Sequence, residues 1–422
     1  MINLNTRAIY RWAAGAVATL ALAACASPGE LGPRHQPSGR DLPLPSAEFG
    51  VYTTAAEVAI AEANATIGRP LEPEAVEDRA PFELAPRRGC ARAPDGRYPK
   101  AALLIHDLGG TPYEMRDVGR AFADACYLVR AILLPGHGTV PGDLLNTNSE
   151  EWVEATAAAV ASFEDEAERL VLVGFGLGGT LAVHHALSGR TPSGLELAGL
   201  VLLAPAFGAE APLSWLRAPG AIFSGLAPGA AWARLLPDYD AVRYESLPRE
   251  AERARTRLAK EIAAHDGSLD LPVFLAISAV DAEVDPAAAR AWFCRRPSGP
   301  RQMIWYSTAP TPGTDCRFVI RRSAAAPPEI VDLSHIGLPI APDNPRYGAN
   351  SGYRECSHYY WENSPNWLIC VDETKTSANA GIRYGEITPA NLERYVVRRL
   401  TYNPDFAAMI GAALDFLADP AA

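Results

Sequence analysis

Runs of basic residues are what this chain most lacks. Its 38 Lys and Arg face 49 Asp and Glu, a net charge of −11 over 422 residues. A surface of that sign repels phosphate backbones, so no nucleic acid or other polyanion is expected as a partner. Long apolar stretches are missing too: the run Trp12 to Ala24 is too short to cross a bilayer. No internal repeat is visible, which sets aside solenoids and propellers. Eight His and seven Cys are present, yet no Cys/His/carboxylate cluster has zinc spacing. No metal and no cofactor are expected.

What is present begins with Leu170-Val-Leu-Val-Gly174-Phe-Gly176-Leu-Gly178-Gly179-Thr-Leu-Ala. Aliphatic residues, a glycine turn and an alanine-rich stretch predict strand, sharp turn and helix. Gly174, Gly176 and Gly179 also spell G-x-G-x-x-G, the dinucleotide-binding fingerprint of an oxidoreductase. That reading needs a carboxylate closing the next strand. Leu200-Val-Leu-Leu-Ala instead ends in Pro205-Ala-Phe-Gly, and Glu196 precedes the strand. A nucleotide-dependent oxidoreductase is the remote alternative.

Upstream, the apolar run Ala101 to Ile105 suits a strand buried on both faces of a parallel sheet. It leads into His106-Asp107-Leu108-Gly109-Gly110-Thr111-Pro112, and a second strand, Tyr127 to Leu134, leads into Pro135-Gly136-His137-Gly138. Ser149-Glu-Glu-Trp152 opens a helix before the glycine turn. Downstream, the strand Leu271 to Ser278 is followed by Asp281 and Asp285, and Val331-Asp-Leu-Ser-His335 comes later. This order resembles the α/β-hydrolases related to monoacylglycerol lipases, carboxylesterases and serine aminopeptidases. The resemblance implies a mostly parallel sheet with helices on both faces and a helical cap insertion.

In those hydrolases the turn reads Gly-x-Ser-x-Gly and the central serine is the nucleophile. Here its place is held by Gly176. The resemblance assigns the oxyanion-hole amides to Leu108 and Leu177, the base to His335 and the orienting acid to Asp281. Asp285, before Pro286, reads better as a helix cap. A second departure is Asp107, where the family usually has glycine. Its carboxylate either crowds the oxyanion hole, repelling the charge a transition state develops there, or points into solvent. His106 is expected to brace the oxyanion loop, His137 its own turn, and His184 and His185 to pack or lie on the surface.

Glycine visits the strained elbow conformation freely, so replacing serine relieves ~1–3 kcal/mol of strain. Chemistry goes instead: losing a triad nucleophile costs about 10⁶ in turnover. Thr180 and Ser334 are no evident substitutes. The leading expectation is therefore a hydrolase-fold protein that has lost serine catalysis and binds a small ester or lipid-like ligand. The alternative is an active ester hydrolase using another nucleophile, or a water activated by His335 and Asp281 in the space left at Gly176.

An insertion of about residues 206–268 is expected to cap the site, with Ala251, Ala254, Leu258 and Ile262 on one helical face. Arg7 and Arg11, the short apolar run and Leu22-Ala23-Ala24-Cys25 read as a secretory signal over residues 1–24 that resembles a bacterial lipobox. Lipidation of Cys25, and Ala26 after it, would anchor the protein to the outer membrane, facing the periplasm. Residues 25–48 are expected to be a flexible tether, and 49–422 the hydrolase domain. The six remaining cysteines suggest disulfides in an exported chain. Sequence allows fifteen pairings, and neighbour order suggests Cys90–Cys126, Cys294–Cys316 and Cys356–Cys370. Helices are expected over Asn391–Leu400 and Pro404–Leu417.

Overall fold

The computed structural model describes residues 31–208, 228–308, 319–322, 328–362 and 365–419. Its strands in chain order are β1 (Phe82–Leu84), β2 (Ala101–Ile105), β3 (Leu128–Ile132), β4 (Arg169–Phe175), β5 (Glu196–Leu203), β6 (Trp232–Arg234), β7 (Leu247–Pro248), β8 (Val273–Ser278), β9 (Arg301–Tyr306), β10 (Val319–Arg322), β11 (Ile382–Gly385) and β12 (Val396–Arg399). Eight of them form the main sheet in the order β1-β3-β2-β4-β5-β8-β9-β10. Only β1 runs antiparallel to its neighbour. β2, β3 and β8 are buried along their whole length, as expected of strands covered on both faces. This is the α/β architecture that the apolar runs predicted.

β3 carries one charge into that interior. Arg130 is buried, and its Nε donates to Glu83 on the edge strand β1 at 2.6 Å. Pairing with a carboxylate at the sheet edge is what lets a guanidinium remain there.

The register places the site. Ile105 at the end of β2 lies beside Gly174 near the end of β4. The loops that follow, 106–111 and 175–177, therefore leave the sheet side by side at its carboxyl edge, where open α/β sheets hold their ligands. A side chain on Gly178 would overlap the backbone of Ile105. The glycines of this turn thus serve the close approach of helix Leu177–Ser188 to β2.

Three expectations need correction. Residues 31–48 do not form a loose tether: His35 is buried edge-on against Trp232, Arg34 pairs with Asp238, and Ser38 Oγ donates to Asp143 at 2.8 Å. Apolar and ionic contacts dock the segment despite its proline and glycine content. Asn391–Leu400 is not one helix: Pro389–Arg394 is helical, and the branched pair Val396-Val397 opens β12, which runs parallel to β11. In the insertion, helix Arg249–Ala264 buries the expected Ala251, Ala254, Leu258 and Ile262, but packs on helices Ser149–Ala161 and Leu177–Ser188. The stretch before it meets the β2 loop instead, where Tyr244 N–H donates to Gly109 O at 2.7 Å.

The C-terminal helix forms over Phe406–Ala418. Disulfides join Cys90 to Cys126 and Cys356 to Cys370. Cys294 is also disulfide-bonded; its expected partner Cys316, like Cys25 and residues 1–24, lies outside the described residues. Among the described residues no helix is long and apolar enough to cross a membrane.

Candidate active site

At the centre of the elbow Gly176 adopts φ +52° and ψ −113°, a conformation that L side chains adopt only with strain. Its helix begins at Leu177, whose N–H is unsatisfied within the helix and points to the carboxyl edge of the sheet. That N–H donates to Asp107 Oδ1 at 2.7 Å. The other oxygen, Oδ2, lies 3.1 Å from His335 Nε2. Asp107 is 7% exposed, so the solvent-facing reading of this residue is overturned. The carboxylate fills the space that a side chain at position 176 would take.

His335 is buried and stacked on Phe175, with ring centroids 4.7 Å apart. Its Nδ1 lies 2.7 Å from Asp281 Oδ2. Asp281 Oδ1 is itself fixed by the N–H groups of Glu283 and Val284 at 2.9 and 3.0 Å. Asp285 caps the helix Pro286–Arg295, accepting from Ala287 and Ala288 N–H. Asp281 is therefore the carboxylate brought to His335, and Asp285 is not. Leu108, next to Asp107 in the same β2 loop, is buried in the main core.

Thr180 Oγ1 donates to Ala206 O at 3.1 Å, and Ser334 Oγ donates to Leu400 O. Neither hydroxyl is free to replace the missing serine. His106 Nδ1 lies 2.7 Å from Asp107 O, while its Nε2 accepts from Leu134 N–H at 3.1 Å, which ties the β2 and β3 loops together. His137 Nδ1 lies 3.0 Å from Pro135 O, within its own turn. His185 is buried and His184 faces Glu261.

The electrostatics follow from this packing. Burial alone would depress the His335 imidazole, but the Asp281 charge and hydrogen bonds with Asp107 and Asp281 raise it to about 10. Burial also opposes ionisation of Asp107; the His335 hydrogen bond and charge, Arg243 and the Leu177 N–H overcome it and hold the carboxyl below its ordinary value. The imidazole thus lies between two carboxylate oxygens, Asp281 Oδ2 on one side and Asp107 Oδ2 on the other.

Two further residues support Asp107, Glu114 directly and Arg243 through it, and neither was legible from the sequence. Glu114, in the short helical turn Pro112–Met115, is buried and accepts the Asp107 N–H at 3.3 Å. Burial, with the Asp107 charge adding and Arg243 opposing, raises its carboxyl to about 7. Arg243, from the insertion, pairs with Glu114. On the other side of the site, Glu386 accepts the His335 N–H at 2.8 Å and is bound by Arg399, which fixes the histidine loop from behind. Spacing carries no signal for such long-range partners.

The G-x-G-x-x-G alternative does not survive this geometry. Glu196 pairs with Arg169 at the opposite end of the sheet from the turn, and the Leu177 N–H meets a carboxylate of the chain itself. Among the described residues no group of His, Cys, Asp and Glu could hold a metal ion.

Comparison with known proteins agrees with the fold. Residues 102–360 match the profile described as "Alpha/beta hydrolase family". The thermostable monoacylglycerol lipase of Bacillus sp. (strain H-257) is 27% identical over 200 residues, 45% of this chain and 74% of that protein. A carboxylesterase of Bacillus subtilis (strain 168) is 29% identical over 85 residues, 20% of this chain and 35% of its own. A solved metagenome-derived lipolytic enzyme is 21% identical with a TM-score of 0.44, covering 54% of this chain and 86% of that one.

Proposed function

The chain belongs to the alpha/beta hydrolase family, and from that footing we propose that its own Asp107 occupies its ester-hydrolysing centre and that serine catalysis is lost. One observation carries the reading: the Asp107 carboxylate joins the Leu177 N–H, at 2.7 Å, to His335 Nε2, at 3.1 Å. Ester hydrolysis by a serine triad puts an oxyanion against the amide after the nucleophile and the nucleophile's oxygen against the base. A carboxylate with one oxygen at each position is laid out like the carboxylate product of that reaction. The site is then filled by a product-like group that belongs to the chain.

Asp281 is the orienting acid, His335 the former base, and Gly176 the vacated nucleophile position. Leu177 supplies the oxyanion-hole amide that Asp107 has taken, and Leu108 is assigned the second. The imidazolium counts against a water-activated route, because such a route needs His335 neutral. Similarity to a monoacylglycerol lipase and a carboxylesterase supports a small ester or lipid-like molecule as the ligand, held without turnover.

The same reading places the protein outside the cytoplasm, with residues 1–24 a signal and Cys25 the lipidated residue that anchors it to the outer membrane, facing the periplasm. The lipobox-like Leu22-Ala23-Ala24-Cys25 and the disulfides Cys90–Cys126 and Cys356–Cys370 support it, since disulfides persist in oxidising compartments.

The test is direct. Purified protein is treated with a fluorophosphonate probe and assayed with short-chain nitrophenyl esters. Neither labelling nor turnover above the uncatalysed rate is expected. Covalent labelling, or turnover abolished by His335→Ala, refutes the reading.

A further inference from the structure

Beside this site stands a half-buried guanidinium with no carboxylate of its own. Arg79 ends the helix Pro73–Arg79 and reaches the insertion, where Nε donates to Ala241 O at 2.7 Å. Its Nη1 donates to Gly138 O at 3.2 Å and Thr139 O at 3.4 Å. Among the described residues no acceptor meets Nη2, and no Asp or Glu forms an ion pair with Arg79. The acids that feel its charge are engaged elsewhere. Asp238 pairs with Arg34 and, at 3.4 Å, with Arg69. Asp240 accepts the Tyr347 hydroxyl at 2.7 Å and the Val242 N–H at 2.9 Å. Burial holds the Arg79 guanidinium below its ordinary value; Tyr244, Asp238 and Asp240 oppose that, and Arg346 adds to it.

Arg79 borders a cavity of about 120 Å³, together with Arg34, Arg69, Arg243 and Thr111. Four arginines line it against two aspartates, Asp238 and Asp240. Thr111 is 2% exposed, and its hydroxyl has no hydrogen-bond partner among the described residues. A half-buried guanidinium that no carboxylate pairs and a buried hydroxyl without a partner border the same cavity, and the hydroxyl is unfavourable there unless something joins it. An anion with acceptor oxygens satisfies both at once.

We propose that this cavity is an anion-binding site for the carboxylate or phosphate group of a small ligand, with Arg79 as its ion-pair partner and Thr111 as a hydroxyl donor. The proposal rests on Arg79 and Thr111 and not on Asp107, although Arg243 borders both places, so anion binding is read apart from the proposed loss of catalysis. Titration calorimetry of the full chain, at constant ionic strength, uses three probes: inorganic phosphate, acetate and glycerol phosphate. Saturable binding of at least one is expected. Acetate alone marks a carboxylate site, and either phosphate probe a phosphate site. Thr111→Val removes the hydroxyl at nearly constant shape and is expected to weaken binding several-fold, with an unchanged melting temperature in the absence of anion. Arg79→Gln is expected to weaken it by roughly tenfold or more, as for loss of a charge-assisted hydrogen bond. If Arg79→Gln does not fold, Thr111→Val decides alone. No saturable binding of any probe, or equal affinity in wild type and Thr111→Val, overturns the proposal.

Discussion

Gly176 and Asp107 fit each other as two halves of one change: the Cβ that glycine lacks would overlap Asp107 Oδ1. A side chain at the elbow and the Asp107 carboxylate between Leu177 and His335 exclude one another. A serine at position 176 and the Asp107 carboxylate in this orientation are thus incompatible by volume.

That incompatibility predicts a non-additive rescue. Gly176→Ser by itself adds a hydroxyl to a place already filled, and must expel a carboxylate from an N–H and an imidazolium. It is expected to remain unlabelled by fluorophosphonate. Asp107→Gly alone frees the Leu177 N–H and lets His335 become neutral, yet offers no nucleophile. Only Asp107→Gly with Gly176→Ser restores both, with ester turnover expected on the order of 10³-fold above either single variant, the scale of residual against complete triad catalysis. A double variant that folds but stays as inert as the singles would show that the scaffold has decayed beyond these two positions.

A second prediction concerns pH. The folded-state pKa of His335 is about 10, above the ordinary 6.5. A group raised in this way stabilises the fold fully below pH about 6.5, and that contribution is lost as pH rises through about 10. Denaturant midpoints should therefore fall between those limits in the wild type and fall less in His335→Gln. Asp107→Asn removes one flanking charge, so the His335 titration followed by NMR should move down from about 10. An unmoved titration would show that Asp107 does not set it.

The disulfides give a third prediction. Cys356–Cys370 and Cys90–Cys126 span sequence separations of 14 and 36. Loop-closure entropy assigns them about 3 and about 4 kcal/mol at 25 °C. Paired Cys→Ala variants should lose stability in that order in denaturant melts. The reverse order would mean that packing around Cys356 and Cys370, both buried with Tyr359, outweighs chain entropy.

Much of this site was legible before any coordinates because it lies on loops whose positions a parallel sheet dictates. The strand runs 101–105 and 170–175 and the Asp281 and His335 loops carry local patterns, and adjacency of β2 and β4 did the rest. The direction of Asp107 was not legible, since spacing cannot tell a loop carboxylate that faces water from one that turns inward. Glu114 and Arg243 were invisible for another reason. They meet across 129 positions of sequence, and a glutamate at a helix start reads as an ordinary first-turn acid. Residues 31–48 misled through composition: proline and glycine suggested looseness, while His35 and Arg34 found partners on the insertion.

The Glu114–Arg243 pair carries the last prediction. Burial raises the Glu114 carboxyl to about 7, so the fold favours its neutral form. That contribution is present below pH about 4.5 and is lost as pH rises through about 7. Arg243 opposes the rise, and Arg243→Leu therefore leaves a buried carboxyl with a still higher pKa. Breaking one side of a buried pair costs about 3–5 kcal/mol, and here that deficit should grow from pH about 5 to pH about 8 as Glu114 is forced to ionise. Glu114→Gln combined with Arg243→Leu should recover most of the loss at the higher pH and change little at the lower. Denaturant melts of the two variants at both pH values settle the matter. A deficit of equal size at each pH, unrelieved by Glu114→Gln, would mean that Arg243 acts through packing against the β2 loop and not through the Glu114 charge.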